Sequence, residues 1–354
     1  MTRENGQKII AAEAALRQMV EKLKAAGIKS AALDARLLLQ AIAGVSQTEL
    51  LAGRAPPLDM AAQEKLAAAI KRRLHGESVH RILGRRAFYG LDLELSSATL
   101  EPRPDSEAVV DLLLPLIRQK AADTEGARVS EQKAADAKAK VENMSAPVRL
   151  PDRSTGNFVP QKVADSGKPF PGEGTKQEKE SLPASAPVTL LDMGTGSGAL
   201  ALALLQQVPQ LQAVGVDIAA EALETAQKNA AAAGLSERFT VLKSDWFSAV
   251  AGRFDFIVSN PPYIPRAEIG QLAAEVRLYE PRRALDGGVD GLDFYRALAA
   301  GAAAHLAPGG RLAVEAGFGQ AADIIALFQT AGFKHLATKQ DLRRIDRALL
   351  FAAA

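Results

Sequence analysis

Val188-Thr-Leu-Leu-Asp-Met-Gly-Thr-Gly-Ser-Gly-Ala-Leu-Ala-Leu-Ala-Leu-Leu-Gln206 is the stretch whose reading decides the fold. Val188–Asp192 is short and mostly apolar, the pattern of a buried strand. Gly194, Gly196 and Gly198 then alternate with Thr195 and Ser197, and Ala199–Gln206 is a run of helix formers. Strand, glycine turn and helix in that order open a parallel sheet covered by helices. Glycine lets the turn approach a ligand closely where a side chain would clash. Asp-x-Gly-x-Gly-x-Gly departs from the dinucleotide fingerprint Gly-x-Gly-x-x-Gly, and no lysine follows to hold a triphosphate. Asp192, ahead of the glycines, suits a cationic amino-acid tail, directly or through water.

The rhythm continues downstream. Leu211–Asp217 is a second strand, and an acid about twenty residues past such a turn suits two ribose hydroxyls. Phe239–Lys243 is a third, ending at Ser244-Asp245-Trp246, where a carboxylate can take an adenine amine and the indole can cover the ring. Phe254-Asp-Phe-Ile-Val258 is a fourth, leading into Ser259-Asn260-Pro261-Pro262-Tyr263-Ile264. Consecutive prolines fix φ and remove two donors, so this turn is stiff and its carbonyls point outward. The Asn260 amide oxygen and the Pro261 carbonyl form a pair of acceptors, and Tyr263 adds a flat wall. That is a clamp for a planar NH2 group, a carboxamide or an exocyclic base amine. Helices over Leu292–Leu306 and Ala321–Ala331, a turn at Ala307–Gly310, a strand at Arg311–Glu315 and a closing strand pair near 333–337 and 347–351 complete the sheet.

Composition limits the chemistry. The chain has 354 residues, no cysteine and four scattered histidines, which exclude a disulfide and a thiolate metal site. No metal site is expected. A net charge of +2 gives no strong global pull toward nucleic acid or membrane. No apolar run reaches the ~20 residues of a membrane span, and the first residues lack a signal-peptide pattern. A cytoplasmic enzyme is expected.

Residues 1–85 read as a helical domain. One apolar stripe joins Ile9, Ile10, Leu16, Met19, Val20 and Leu23 up to Gly27; a short helix starts near Asp34; Asp59 caps a third with Leu66, Ile70 and Leu74 on one face. Up to Arg86 this part holds fifteen Lys/Arg against eight Asp/Glu. Arg72-Arg73 and Arg85-Arg86 carry much of the excess, either as a solvated face or as a docking surface for an acidic or RNA-associated partner. Residues 86–118 read as a β-hairpin turning at Gly90 and a linker helix through Ile117, capped by Asp105 or Ser106. Arg103, between two prolines, is either held over a site or solvated. Residues 119–187 are rich in Ala, Lys, Glu, Ser, Pro and Gly without a sustained period, and read as a disordered insert with at most a transient helix over 127–141. The domain from 188 to 354 carries the glycine turn and the clamp.

Glycine turn, acid and Asn-Pro-Pro-Tyr together resemble the class I S-adenosylmethionine-dependent methyltransferases that act on planar nitrogens. More narrowly, the chain is similar to the N(5)-glutamine methyltransferases of peptide-chain release factors, the PrmC/HemK family. The narrower likeness rests on Leu100-Glu-Pro-Arg-Pro-Asp-Ser-Glu107, on Tyr279-Glu-Pro-Arg-Arg-Ala-Leu-Asp-Gly-Gly-Val-Asp-Gly-Leu-Asp-Phe-Tyr-Arg296, on Glu315-Ala-Gly-Phe-Gly-Gln320 and on Asp341-Leu-Arg-Arg-Ile-Asp-Arg347. The resemblance implies an α/β fold with a Rossmann-like class I methyltransferase sheet, mostly parallel with an antiparallel C-terminal strand. It implies S-adenosylmethionine held by Gly194, Thr195, Gly196, Ser197, Gly198, Asp217 and Trp246, with Asn260 bordering it. It also implies a glutamine clamped by Asn260, Pro261, Pro262 and Tyr263, with Asn260, Pro261 and Tyr263 carrying the catalysis. Two departures stand out: the insert is longer than the family's linker, and Glu101 and Arg344 replace an expected apolar residue and an expected small one.

Three functions compete on the residues. Methylation of the glutamine in a release factor's Gly-Gly-Gln loop leads. An adenine methyltransferase on DNA or RNA would use the same clamp, but such enzymes show a basic, aromatic-rich reading face, and this N-terminal domain is basic yet almost free of aromatics. A non-catalytic nucleotide-binding protein would not need the clamp. A monomer without direct nucleic-acid or membrane binding is expected.

Overall fold

The computed structural model describes residues 10–144 and 187–354, together with the backbone of two paired strands, β1 (Arg3–Glu4) and β2 (Gln7–Lys8). Five helices follow: α1 (Ala12–Ala25), α2 (Ala31–Ala43), α3 (Gln47–Leu51), α4 (Met60–Leu74) and α5 (Val79–Leu83). Met19, Leu23, Leu38, Leu39, Leu66, Ile70 and Val79 meet in one buried core. Asp59 caps α4 as expected, its Oδ1 accepting from the Ala62 N–H at 2.7 Å. Leu74 differs from its expected place on the buried face and is 42% exposed, at the last turn where α4 leaves the bundle.

The four arginines of the basic pairs are each held by a carboxylate, Arg72 and Arg85 while about half exposed. Arg73 is buried against Asp34 at 2.7 Å and Arg86 lies 3.1 Å from the buried Glu101. Arg72 and Arg85 reach Glu77 at 2.5 Å and Asp92 at 2.7 Å. All four charges are therefore matched within the chain, two of them where an unmatched charge would be strongly destabilising.

β3 (Arg85–Phe88) and β4 (Leu91–Glu94) form the expected hairpin. Its two turn residues, Tyr89 and Gly90, both have positive φ (48° and 82°), the demand of a tight two-residue connection. Pro104–Ser106 is a single turn of 3-10 helix leading into α6 (Glu107–Met144), and no side-chain cap bond is made there. Asp105 and Ser106 are engaged elsewhere, so the expected cap is corrected. The linker helix also does not stop at Ile117: it runs to Met144 and takes in the first part of the expected disordered insert. Ala, Gln, Lys, Glu and Arg supply helix propensity without any apolar period, which a reading by periodicity passes over. Arg128 pairs with Glu125 at 3.3 Å and the Ser130 hydroxyl donates to the Gly126 carbonyl at 2.9 Å, both local helix contacts. Residues 145–186, the rest of that insert, lie outside the described residues. Ala122–Pro187 forms a unit separate from the one made by Met1–Ala121 and Val188–Ala354.

The sheet comprises β5 (Val188–Met193), β6 (Leu211–Asp217), β7 (Phe239–Lys243), β8 (Phe254–Ser259), β9 (Leu306–Glu315), β10 (Phe333–Gln340) and β11 (Asp346–Ala353), in the order β10-β11-β9-β8-β5-β6-β7. β11 alone runs against the rest. α7 (Ala199–Gln207) and α8 (Ala220–Ala232) join α6 and the hairpin over one face, where Val109, Leu113, Leu202 and Ala226 meet Leu190 and Val258. α10 (Asp293–His305) and α11 (Ala321–Thr330) cover the other, where Tyr295, Leu298, Ile324 and Phe328 meet Leu191, Ile257 and Leu349. A one-turn helix, α9 (Ala274–Arg277), lies in the loop after β8. With both faces covered, adjacent residues such as Leu190 and Leu191 are both fully buried, and the strands carry continuous apolar runs. Ala307–Gly310, expected as a turn, is instead a bulge inside β9: Phe254 pairs with Leu306 and Phe256 with Arg311.

Candidate active site

Register alone brings the proposed site residues together. Met193 of β5 pairs with Val216 of β6 and Ser259 of β8; Asp217 of β6 pairs with Lys243 of β7; Ser259 pairs with Val314 of β9. Gly194, Asp217, Ser244, Asn260 and Glu315 consequently leave or end neighbouring strands side by side, at the ~4.8 Å spacing of a sheet. The chain crosses from β7 back to β8 on the other side of β5. That makes β5 and β8 the switch point where open α/β sheets bind ligands.

The glycine turn is built for approach. Gly194, Gly196 and Gly198 have φ of 72°, 56° and 82°, and the Gly194 and Thr195 N–H groups both donate to the Val216 carbonyl at 2.8 Å. Around a Cβ placed on Gly194 there is no atom within 4 Å. Asp217 holds the turn from β6: its Oδ2 accepts from the Gly196 N–H at 3.0 Å and its Oδ1 from the Ala219 N–H at 2.9 Å. Asp217 remains part-exposed, and the next residue, Ile218, is 56% exposed, so this strand end offers a carboxylate and an apolar surface together. Trp246, with φ of 51°, packs its ring 4.9 Å from Phe294 and is half-buried. An open glycine cradle, a carboxylate and apolar faces at adjoining strand ends fit the adenosyl and ribose parts of S-adenosylmethionine. Asp192, suggested for the cationic tail, is held within the turn itself. It is 1% exposed, and its Oδ2 accepts from the Thr195 hydroxyl at 2.7 Å and the Ala201 N–H at 3.3 Å; burial pushes its carboxyl up to about 7.

Asn260–Tyr263 is held from three sides. The Gln320 side chain donates from Nε2 to the Tyr263 carbonyl at 2.9 Å. The Ile264 N–H donates to the Leu285 carbonyl at 3.0 Å, and the Gly287 N–H to the Ile264 carbonyl at 2.9 Å. Gly287 and Gly291 come so close that a Cβ on Gly287 would stand 2.9 Å from the Pro262 carbonyl oxygen and one on Gly291 would stand against the Tyr263 carbonyl. This gives the Asp-Gly-Gly-Val-Asp-Gly run its physical meaning: it is the floor under the clamp. Asn260 Nδ2 donates to the Ser106 hydroxyl at 3.2 Å, which leaves Oδ1 as an acceptor.

Behind the clamp lies a polar wall that the sequence reading did not resolve. Glu315, 1% exposed, ends β9, and the Tyr263 hydroxyl is 3.5 Å from its Oε1. Burial pushes the Glu315 carboxyl up to about 7, against the opposing effects of Ser106 and Arg347. Its Oε2 is buried without a hydrogen-bond partner. Burial also pushes the Tyr263 phenol well up, keeping it neutral. Asp105 accepts from Arg343 and Arg347, so the tip of the β10–β11 hairpin pins the loop that carries Ser106. Arg344 in that tip has φ of 62°, the left-handed region that explains why a small residue was expected there. Glu315 and Gln320 lie within the quoted Glu315–Gln320 motif, but only the pairing of β9 with β8 makes them neighbours of Asn260.

The junction with the helical domain is ionic and buried. Glu280 accepts from Arg81, from Arg103 at 3.2 Å and from the Glu101 N–H at 3.1 Å. Arg103 is thus tied down, and Glu280 packs. Tyr279 donates to the His75 carbonyl at 3.1 Å. Glu101, unexpected as a charge, takes Arg86, His80 at 3.0 Å and the Ser78 hydroxyl at 2.7 Å. His335 contacts the Ala337 carbonyl and Thr338, each at 3.0 Å.

Comparison with known proteins places this geometry. The family model described as "PrmC N-terminal domain" matches residues 14–84, and that described as "Methyltransferase small domain" matches 173–289. The release factor glutamine methyltransferase of Agrobacterium fabrum is 39% identical to this chain, covering 94% of it and 93% of its own length. That of Bradyrhizobium diazoefficiens is 41% identical, covering 97% and 94%. That of Rhodospirillum rubrum is 37% identical, covering 93% and 81%.

Proposed function

The chain belongs to the release factor glutamine methyltransferase family, and from that premise we propose that it methylates the side-chain amide nitrogen of the glutamine in the Gly-Gly-Gln motif of peptide-chain release factors. S-adenosylmethionine is the methyl donor; when bound it supplies an electrophilic methyl on a sulfonium sulfur. Gly194–Gly198, Asp217 and Trp246 hold it against the strand ends.

Asn260 and Pro261 do the work on the acceptor. An amide nitrogen is a poor nucleophile, because its lone pair is delocalised into the carbonyl. Accepting both amide hydrogens, on Asn260 Oδ1 and the Pro261 carbonyl, fixes the plane of the group and favours positive charge developing on nitrogen. Tyr263 and Pro262 wall the slot and exclude water. Holding the reacting atoms in line contributes several kcal/mol, within a general ceiling of about 7–11. With the methyl supplied by the cofactor that Gly194–Gly198, Asp217 and Trp246 would hold, the nitrogen clamped by Asn260 and Pro261 would carry a positive charge. It would give up one of its protons to solvent without a dedicated base, since an N-methylated amide cation is very acidic.

The observation that carries this is the single register that sets Gly194, Asp217 and Asn260 side by side, with the Asn260 amide turned so that Oδ1 is free. An adenine amine would fit the same two acceptors, but the likeness to glutamine methyltransferases runs through the helical domain as well as the clamp. Among the described residues no helix is long and apolar enough to cross a membrane. We infer a cytoplasmic monomer that meets its protein substrate without binding nucleic acid. The test pairs labelled S-adenosylmethionine with an unmodified release factor, its Gln→Ala variant and unmethylated duplex DNA. Label on the release factor alone is expected, and it should vanish with the Gln→Ala variant and with Asn260→Ala enzyme that still binds the cofactor. Label on DNA, or an active Asn260→Ala enzyme, would refute the assignment.

A further inference from the structure

We propose that Asn229 is a positioning residue for S-adenosylmethionine: from α8 it holds the glycine turn in the left-handed shape that receives the cofactor, and the β3–β4 hairpin fixes its amide in that task. Asn229 is 2% exposed and uses both ends of its amide. Nδ2 donates to the Ser197 carbonyl at 2.9 Å and to the Glu94 carbonyl at 3.1 Å, while Oδ1 accepts from the Glu94 N–H at 2.7 Å. The amide thus meets both backbone groups of a single residue in β4. A donor and an acceptor side by side admit one sense of a carboxamide, so the second Nδ2 hydrogen is aimed at Ser197.

The Ser197 carbonyl needs that tether. In a helix extended backwards from α7 it would accept from the Ala201 N–H, four residues on. Here the Ala201 N–H donates to Asp192 Oδ2 at 3.3 Å, and the Ser197 carbonyl turns to Asn229. Asp192 and Asn229 therefore take the two halves of one helical hydrogen bond and keep α7 from winding into the turn. Gly198 has φ of 82° and would have to cross to the right-handed region for that winding. Glycine adopts either region at little cost, so its own conformation does not hold the turn open. Asp217 secures the turn from the other side through the Gly196 N–H at 3.0 Å. The accessible surface between these tethers is at Gly194 and Gly196, with Thr195 and Ser197 buried.

The hairpin is in turn tied to the helical domain. Arg81 of α5 donates to the Ser96 carbonyl at 2.9 Å, and the Ser96 hydroxyl meets the Thr225 hydroxyl of α8 at 2.9 Å, one turn before Asn229. Thr225 and Asn229 both bond α8 to the chain that joins the two domains. Of the two, Asn229 is the one that also reaches the glycine turn.

This rests on the glycine turn being the cofactor site, and the experiment tells the two failures apart. S-adenosylmethionine affinity of the whole chain is measured by calorimetric titration, with thermal unfolding in the absence of cofactor and steady-state transfer to an unmodified release factor alongside. Asn229→Asp keeps the shape of the side chain but sets a carboxylate against two carbonyls. Its cofactor affinity should fall on the order of ten-fold, since apparent affinity drops with the fraction of protein whose turn is still open. KM for the cofactor should rise by the same factor, while kcat at saturating cofactor and KM for the release factor stay near wild type. Thr225→Val cuts the bond to Ser96 on the same helix and leaves the turn alone, so it should lower the thermal midpoint without moving cofactor affinity. Should Asn229→Asp fail to fold, Asn229→Ala removes the tether without the added charge and carries the same expectation. An Asn229 loss matched by Thr225→Val would overturn the positioning role. So would an Asn229 variant that binds like wild type while Asp217→Ala binds weakly. Unchanged affinity in both the Asn229 and the Asp217 variants would instead remove the glycine turn from the cofactor site.

Discussion

Gly291→Ala tests whether the loop below the clamp sets catalytic geometry. Gly291 has φ of 79°, and a Cβ there would press on the Tyr263 carbonyl oxygen and stand 2.5 Å from Gln320 Nε2. Alanine in this backbone region costs roughly 1–2 kcal/mol from its own strain. It must also break or lengthen the bond from Gln320 to Tyr263, worth about 1 kcal/mol more. Pro261 and Pro262 cannot yield by rotating about φ, since each proline ring fixes its own, and the Tyr263 carbonyl is tied to Gln320. The loop must therefore shift as a body and carry Pro261 and Asn260 with it. A displacement near 1 Å at the reacting centre lowers kcat on the order of a hundred-fold, close to 3 kcal/mol of barrier. Gly309 is the control: its φ is 75°, yet nothing lies within 4 Å of its Cβ position. Gly309→Ala should lose stability to strain and keep its turnover. The assay compares kcat, cofactor affinity and thermal midpoint for both variants. Equal turnover of Gly291→Ala and Gly309→Ala would refute the idea that close packing beneath Tyr263 positions the clamp.

Two further outcomes follow from named contacts. Asp217→Ala removes the acceptor that holds the Gly196 N–H at 3.0 Å, and with bonds to charged groups worth ~1.5–3 kcal/mol it should weaken S-adenosylmethionine binding by ten-fold or more, read by calorimetric titration; unchanged affinity would remove Asp217 from the site. Acid stability should track Glu101: burial opposes its charge, but bonds from His80 and Ser78 and the nearness of Arg103 hold its carboxyl down at about 2. A depressed carboxyl stabilises the fold above its unfolded pKa of ~4.3 and loses that contribution as the pH falls toward 2. Wild type should thus lose more stability over that range than Glu101→Leu, read by chemical denaturation at each pH; parallel losses would show that the buried ion pair is not the acid-sensitive element.

Much of this molecule could be read from its residues one stretch at a time. Val188–Gly198 declares strand, turn and helix, because apolar run length and glycine spacing are local properties, and the structure places β5 and α7 there. The strands at Leu211–Asp217 and Phe239–Lys243 keep the bounds that their alternation and end residues suggested. Asn260-Pro-Pro-Tyr263 is legible for the same reason: proline stiffness and the order of acceptors belong to four adjacent residues. Local propensity also explains the misreading of α6, where helix formers act without an amphipathic stripe and periodicity has nothing to detect. What no local reading supplies is the sense of the Asn260 amide and the fate of the buried charges. Ser106 stands 154 positions from Asn260, and Arg81 stands 199 from Glu280. Those pairs form only once parallel strands fix which ends lie side by side and helices exclude water from between them. A carboxylate such as Glu315 shows in sequence only as the acid ending a strand; it becomes a buried neighbour of Tyr263 because β9 pairs with β8 and helices exclude water from between them.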